Sequence, residues 1–327
     1  MLYNYLITAY RNMLRHKVFS MINILGLALG MAACLIIVQY ASFELSYDDF
    51  HKQADRIYRV RFDLFLDGKL QASIPKNFNA SGPALKRDFP EVENFVRIFP
   101  IDGTIAIKRD EVVFNEKGIY FVDPSFLEIF SFPLLKGDAA TALTAPNTVV
   151  ITSTAARRFF GKEDAIGKRL VLREATLDIP LQVKGIIADV PENSHLDFDF
   201  LISHATLISA WGEERADKDW SSAQFYTYIL LKPNASIAAV EAKFPAFVKK
   251  YTHFPPTAKV VFETQPLQDI YLHSNLVQEA KVNGSSKEVY FLLVIALLII
   301  LIAWFNYINL STGRSIERAK EDRKSVV

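Results

Sequence analysis

Residues 11–40 read RNMLRHKVFSMINILGLALGMAACLIIVQY, a basic flank followed by a long apolar stretch. No charge occurs from residue 18 to residue 43, a run of 26 residues. A bilayer core needs about 20 such residues, and the apolar part of a signal peptide has about 7–15. The MAAC that ends at Cys34 loosely resembles a lipoprotein processing site, but aliphatic residues follow it where a released chain should turn polar. The stretch therefore predicts a permanent membrane anchor rather than a cleaved signal.

A second uncharged run of 25 residues, VYFLLVIALLIILIAWFNYINLSTG, occupies positions 289–313 and is also long enough to span. The net charge is +3 before the first run, +2 after the second and −4 between them. Because basic flanks stay on the cytoplasmic side of a membrane, both termini are predicted to be cytoplasmic and residues 44–288 extracytoplasmic. Residues 1–17 carry apolar side chains at helical spacing, which predicts an amphipathic helix on the inner leaflet, with a frayed terminus as the alternative.

The segment between the runs has 245 residues and no cysteine, so it can bury its own core but must rely on packing for stability. YRVRFDLFL at 58–66 alternates apolar and charged residues, as a half-buried strand does, and Asp67-Gly68 then offers a hairpin turn. Further strands are predicted at about 92–99, 104–114, 148–152, 169–174, 180–189, 223–232 and 258–265, and helices at 82–89, after the caps Asp123 and Ser153, and from Ser236 to Lys250. The pattern predicts an α+β extracytoplasmic domain, with a subdomain inserted at about 100–222, held between two transmembrane helices.

Two short stretches come near to a chemical motif. Gly161-KEDAI-Gly167-Lys168-Arg169 departs from a phosphate-binding loop, because five residues separate its glycines and Arg169 replaces the hydroxyl that would bind magnesium. In SHLDFDF (194–200), His195 and the two aspartates alternate and could bind a metal from one face of a strand. The simpler interpretation makes Leu196 and the phenylalanines the core face and leaves the polar residues solvated. No catalytic residue, cofactor, metal site or nucleic-acid partner is predicted.

Small and polar residues in the two apolar runs point to helix packing. Gly26 and Gly30 form a GxxxG, which allows another helix to approach closely in lipid. Asn306 and Asn309 in the second run could hydrogen-bond a neighbouring helix. These four residues are predicted to lie at helix–helix contacts.

An ordered series of strings along nearly the whole chain resembles MacB/FtsX-type ABC transporter permeases. The strings are FSMINILGLALGMAACLII, ELSYDDFHKQADRIYRV, PALKRDFPEVENFVRI, VDPSFLEIFSFPLLKGD, ITSTAARRFFGKEDAIGKRL, IADVPENSHLDFDFLIS, PLQDIYLHSN and NYINLSTGRSIERAKE. The resemblance implies a MacB-like periplasmic core domain, a mixed α/β part with an inserted, mostly β subdomain, followed by the start of an FtsX-like permease domain.

That resemblance also carries functional expectations. It implies a non-catalytic permease in the bacterial inner membrane, in which a separate cytoplasmic ABC ATPase drives the external domain by mechanotransmission. Such permeases serve in drug, peptide or lipoprotein export, and a homodimer or permease pair and a periplasmic adaptor are the implied partners beside the lipid bilayer. Within the exit string, the residues expected to couple to the ATPase are Arg314, Glu317, Arg318, Lys320 and Glu321.

The family pattern continues with further membrane helices after RAKE, whereas this sequence reads DRKSVV from residue 322 to its last residue. The chain is therefore expected to be a truncated N-terminal portion. The alternative function is a two-span membrane receptor with a ligand-sensing ectodomain. That class of protein carries a signalling domain after its second span, which the 14 residues after Gly313 do not resemble.

Overall fold

A computed structural model describes Tyr3, Arg11, residues 17–174 and residues 177–325; the side chains of Phe19, Asn23, Glu174, Leu177 and residues 309–325 are not described. The chain divides into two compact units. We call Met1–Ser46 with Ser285–Val327 the helical unit, and Tyr47–Gly284 the sheet unit. The amphipathic helix predicted for residues 1–17 falls almost wholly outside the described residues.

Two long helices make up the described part of the helical unit: α1 (Lys17–Glu44) and α10 (Ser286–Ser325). Their segments Ser20–Glu44 and Ser286–Ile308 are long and apolar enough to cross a membrane. Almost no residue of either segment is buried, and large side chains such as Leu29 and Phe291 are about two-thirds exposed. A core helix of a soluble protein would bury these side chains, so the exposed apolar surface is typical of helices that face lipid.

The sheet unit contains fourteen strands, eight short α-helices and one 3-10 helix (Ala54–Arg56) in its described part. The strands are β1 (Ile57–Leu66), β2 (Lys69–Ile74), β3 (Asn77–Phe78), β4 (Val92–Ile101), β5 (Ile105–Arg109), β6 (Val112–Glu116), β7 (Ile119–Val122), β8 (Leu134–Gly137), β9 (Thr148–Thr152), β10 (Arg169–Glu174), β11 (Leu177–Ile187), β12 (Phe200–Ser203), β13 (Ala223–Leu231) and β14 (Ala258–Pro266). The helices are α2 (Ser81–Asp88), α3 (Phe126–Ile129), α4 (Ser153–Phe160), α5 (His204–Trp211), α6 (Glu213–Asp217), α7 (Ile237–Glu241), α8 (Phe244–Tyr251) and α9 (Asp269–His273).

All fourteen strands belong to one sheet. Its order is β14-β1-β13-β4-β7-β12-β9-β11-β10-β5-β6, with β2 beside β1, β3 beside β13 and β8 beside β11. The pairs β9–β11 and β7–β12 are parallel, and the others are antiparallel. Strand β13 returns from late in the chain to lie between β1 and β4, and the last strand, β14, pairs with the first. Both ends of the sheet unit therefore meet on neighbouring strands.

The predicted fold class, an α+β domain flanked by two apolar helices, is confirmed, as are β1, its Asp67-Gly68 turn and α2. Some details were wrong. The single strand expected at 104–114 is the hairpin β5–β6, and the helix after Ser236 is two helices, α7 and α8. The side chain that caps α4 belongs to Thr152, which accepts a hydrogen bond from Ala155 N, and not to Ser153. The inserted subdomain at about 100–222 stays a prediction.

Candidate functional site

The chain enters the sheet unit at Tyr47–His51, and Asp48 fixes this segment. Asp48 has a left-handed backbone (φ 60°) and a fully buried side chain. Its N–H donates to Asn193 O at 2.9 Å, and its carboxylate accepts from the N–H of His195 at 3.2 Å. The second bond gives the buried carboxyl group a backbone donor. Both bonds also tie the first residues after α1 to the loop between β11 and β12.

Two histidines extend this contact into the core. His195 Nδ1 lies 2.9 Å from Asp48 Oδ2, an electrostatic contact outside hydrogen-bond geometry, and its Nε2 lies 2.8 Å from the hydroxyl of Tyr228 on β13. Nδ1 of His51 accepts from Ser131 N at 3.0 Å. Burial lowers the pKa of His51 to about 4, against an upward pull from Asp48, so this imidazole is neutral at physiological pH.

The chain leaves the sheet unit through Ser274–Asn283, which Glu279 holds to Arg59 of β1. The guanidinium of Arg59 is completely buried and binds both carboxylate oxygens of Glu279, at 2.5 and 2.8 Å. Its Nη2 also donates to Gln265 Oε1 at 2.7 Å and to Ser274 Oγ at 3.1 Å. Burial alone would lower the pKa of Arg59, but the hydrogen bond to Glu279 and the neighbouring acidic groups outweigh it, so the net shift is upward. Arg59 is therefore ionised.

Lys281 joins this exit segment to the loop that holds Asp48. Its Nζ donates to Glu192 O at 3.1 Å and to Ser194 O at 3.3 Å. Asn283 Nδ2 donates to two further backbone carbonyls, at 2.9 and 3.0 Å. Entry and exit segments thus share the loop 192–196, and Arg59 lies opposite Tyr228 in the β1–β13 pairing. We call Asp48, Arg59, His195, Tyr228, Glu279 and Lys281 the end clamp.

A second buried ionic cluster lies further along the sheet. Arg97 of β4 binds both oxygens of Asp123, at 2.8 and 2.9 Å, and its Nη1 lies 2.9 Å from Asp217 Oδ1. His204 Nε2 lies 2.6 Å from the same oxygen of Asp217. Burial opposes ionisation of Asp217, but His204 and Arg97 lower its pKa to about 2. The prediction that Asp123 caps a helix is wrong, because its side chain binds Arg97.

The structure also shows where the residues of the two short motif-like stretches lie. Residues 194–199 form a loop and not a strand, and His195 is buried against Asp48 and Tyr228 instead of solvated. Asp199 instead accepts from Thr152 Oγ1 at 2.7 Å. Among the described residues, no group of three or more His, Cys, Asp or Glu is placed to hold a metal. In the glycine-bounded stretch, Lys168 lies 3.4 Å from Glu163, an internal ion pair.

Three of the predicted site residues, Gly26, Gly30 and Asn306, lie where α1 approaches α10 within the helical unit. A Cβ built on Gly26 would lie 4.0 Å from Asn306 Nδ2, and one on Gly30 would lie 3.5 Å from Ile299 Cγ2. The side chains of Asn309, Arg314, Glu317, Arg318, Lys320 and Glu321 lie outside the described residues. The packing and coupling roles of these residues stay predictions.

Sequence reasoning missed the end clamp entirely. Its members are spread from residue 48 to residue 281, and Arg59 sits in a strand where alternation predicted a solvated position. The one signal in the sequence was that ELSYDDFH and SHLDFD place several charged residues beside apolar ones. That pattern does not identify the partner of any charged residue.

Comparison with known proteins adds a family and a fold. The sequence model of the MacB-like periplasmic core domain matches residues 20–247. A domain of a protein described as a permease, from Porphyromonas gingivalis, superposes with a TM-score of 0.56 at 22% identity, covering 66% of this chain and 91% of that one. This likeness shows the fold.

Two more distant structures also match. The periplasmic region of MacB from Actinobacillus actinomycetemcomitans has a TM-score of 0.43 and 10% identity over 64% of this chain and 89% of its own. The extracellular domain of the noncanonic ABC-type transporter YknZ from Gram-positive bacteria has a TM-score of 0.42 and 12% identity, covering 62% of this chain and 99% of its own. No curated protein matches the sequence.

Proposed function

Because this chain belongs to the family of the MacB-like periplasmic core domain and is a protein of the ABC-transporter permease type, we propose that it transmits ATP-driven motion across the membrane by mechanotransmission. In this proposal, residues 18–43 and 289–313 cross the bacterial inner membrane and the termini are cytoplasmic. Residues 44–288, with an inserted part at about 100–222, form the external domain. The transported compound is a drug, a peptide or a lipoprotein.

The end clamp is the observation that supports mechanotransmission. Along the chain, Tyr47–His51 is the first segment of the sheet unit and Ser274–Asn283 ends just before Gly284, its last residue, so a movement of α1 or α10 that follows the backbone reaches the sheet through these segments. A flexible connection would absorb that movement. Both segments are instead held by charge-assisted hydrogen bonds: Asp48 and Lys281 bind the same loop, and Glu279 binds Arg59 of β1. Breaking the Arg59–Glu279 pair, whose guanidinium is completely buried, costs several kcal/mol. Motion of either helix end is therefore passed to the sheet as a unit.

The driving partner in this proposal is a separate cytoplasmic ABC ATPase. We assign its contact to Arg314, Glu317, Arg318, Lys320 and Glu321 on α10, where alternating charges can form ion pairs across a subunit interface. Two copies of the chain, or a permease pair, would associate in the bilayer, and a periplasmic adaptor would join the external domain. Gly26, Gly30, Asn306 and Asn309 would mediate helix packing.

The first test is a pull-down of the full-length gene product from membranes, scored for a co-purifying ATPase. Alanine at the five coupling positions should abolish recovery of the ATPase, whereas alanine at Asp322, Arg323 and Lys324, the next charges of the same helix, should leave it intact. Equal recovery from both variants would discard the contact site. Absence of any ATPase from the unaltered protein would contradict the permease function and favour the receptor.

A second measurement addresses transmission itself. In a Cys34→Ala background, single spin labels at Val282, near α10, and at Val112, on the distant hairpin β5–β6, report distances between two copies in the assembled transporter. Trapping the ATPase with ADP and vanadate should change both distances. In Arg59→Met/Glu279→Leu, which removes one of the contacts of the end clamp, the change at Val112 should be smaller relative to that at Val282; an unaltered response at Val112 would show that the Arg59–Glu279 pair does not carry the motion.

A further inference from the structure

A pocket of about 370 Å³ opens in the sheet unit where β4 ends, beside α5 and the start of β13. Phe99 and Trp211 form part of its wall, and their rings meet edge to face with centroids 5.1 Å apart. Lys76, Asp102 and Gln224 also line it. Its volume lies within the range of about 300–1,000 Å³ typical of small-molecule sites, and apolar walls with a few polar groups are characteristic of them.

Lys76 is the most unusual of these residues. Its side chain is only 12% exposed, and Nζ lies 5.5 Å from the ring centroid of Tyr226. Within the described part of the chain, the one carboxylate within 4 Å of Nζ is that of Asp102, at 3.9 Å, beyond hydrogen-bond distance. An ammonium on a largely buried side chain, with no acceptor within hydrogen-bond distance among the described residues, favours an anionic partner. An anionic group of a ligand would supply the missing acceptor.

Two acceptors accompany this cation. The side chain of Asp102 is 89% exposed, and Asp102 lines the pocket where β4 ends. Oε1 of Gln224 is buried and has no hydrogen-bond partner among the described residues. Gln224 lines the pocket, and a ligand donor there would give this oxygen a partner. The polar lining therefore offers one cation and two acceptors.

The opposite charges of Lys76 and Asp102 determine which ligand charges the pocket favours. A simple anion bound to Lys76 would be repelled by Asp102, and a simple cation beside Asp102 would be repelled by Lys76. A zwitterion satisfies both side chains. We propose that this pocket binds an α-amino acid with an apolar or aromatic side chain, its carboxylate on Lys76, its ammonium on Asp102 and Gln224, and its side chain against Phe99 and Trp211.

The pocket lies next to the exit segment of the sheet unit. Gln278, in Ser274–Asn283, lines the pocket, and its backbone oxygen accepts from the hydroxyl of Tyr226 at 2.5 Å. The ring of the same tyrosine lies beneath Lys76. A bound amino acid would thus contact the segment that leads to α10. The binding proposal itself does not depend on the transport function.

Calorimetric titration of the full chain in nanodiscs with L-phenylalanine tests the proposal. Saturable binding is expected, and Lys76→Met and Asp102→Asn should each weaken it by roughly ten- to a hundredfold, the worth of a charged hydrogen bond. Lys69→Met, on the exposed strand β2, is the matched control and should bind as the unaltered chain does. Lys76→Arg keeps the charge and should retain most of the affinity.

Two analogues test the zwitterion. N-acetyl-L-phenylalanine lacks the ammonium, and L-phenylalanine amide lacks the carboxylate, so each should bind roughly tenfold or more weakly than phenylalanine. Equal binding of either analogue would overturn the assignment of that group. No binding of phenylalanine at millimolar concentration, or binding that neither Lys76→Met nor Asp102→Asn weakens, would overturn the site.

Discussion

Replacing Glu279 by leucine should destabilise the sheet unit strongly, because it leaves the buried charge of Arg59 without its counter-ion. Gln265 and Ser274 would remain as neutral acceptors, at 2.7 and 3.1 Å. Loss of one member of a buried ion pair costs about 3–5 kcal/mol. Unfolding about 240 residues changes the entropy by about 0.5 kcal/mol per kelvin, so the Tm should fall by about 6–10 °C.

The double variant Arg59→Met/Glu279→Leu separates the ion pair from other effects. An apolar pair of similar volume often equals a buried ion pair in stability. The double variant should therefore lie within about 2 kcal/mol of the unaltered chain, although Gln265 and Ser274 lose their donor. Asp178→Asn breaks the exposed pair of Arg173 and Asp178 in the β10–β11 hairpin and should cost less than about 1 kcal/mol.

Guanidinium unfolding, followed by the fluorescence of Trp211 and Trp220, measures these differences. A Trp304→Phe background removes the tryptophan of α10, so that the signal comes from the sheet unit alone. A cost below about 1 kcal/mol for Glu279→Leu, or a double variant no more stable than the single one, would refute the reasoning that the end clamp depends on this buried charge pair.

Three further outcomes are expected. The pKa of His51 is about 4 in the folded chain and 6.5 in the unfolded chain, so the unfolded chain takes up a proton first as the pH falls. His51 should therefore lower the free energy of unfolding by about 3 kcal/mol between pH 7 and pH 4. In His51→Gln this part of the loss should be absent, as measured by unfolding curves at both pH values. Gly137→Ala should cost at least about 3 kcal/mol, because φ is +100° and the new Cβ would lie 2.4 Å from Lys184 O. Gly161 also has a positive φ, but a Cβ there would meet no atom within 4 Å, so Gly161→Ala should cost only about 1–2 kcal/mol in the same assay. The difference between the two variants measures the cost of the steric clash at Gly137. Gly30→Ala should preserve the packing of α1 on α10, because the new Cβ would make ordinary van der Waals contacts. Gly30→Leu should separate the two helices. Cross-linking between cysteines introduced in the two helices measures both outcomes.

The sequence alone determined the features that depend on neighbouring residues. The uncharged runs predict the two long helices, because the length and composition of one segment decide whether it can span a membrane. The alternation in YRVRFDLFL predicts β1, and Asp67-Gly68 its turn, because side-chain period and turn chemistry are local. The ordered strings also identified the family.

Tertiary structure alone decided which charged residues are buried and with which partners. Alternation assigned Arg59 to solvent, but the exit segment covers it and brings Glu279 from 220 positions away. His195 was expected to be solvated, yet Asp48, 147 positions earlier, holds its backbone N–H, and Tyr228 its ring. Local periodicity reports the two faces of a strand, and it contains no information on what covers each face. The exit segment supplies that cover for Arg59, and strand β13, entering between β1 and β4, places Tyr228 opposite it.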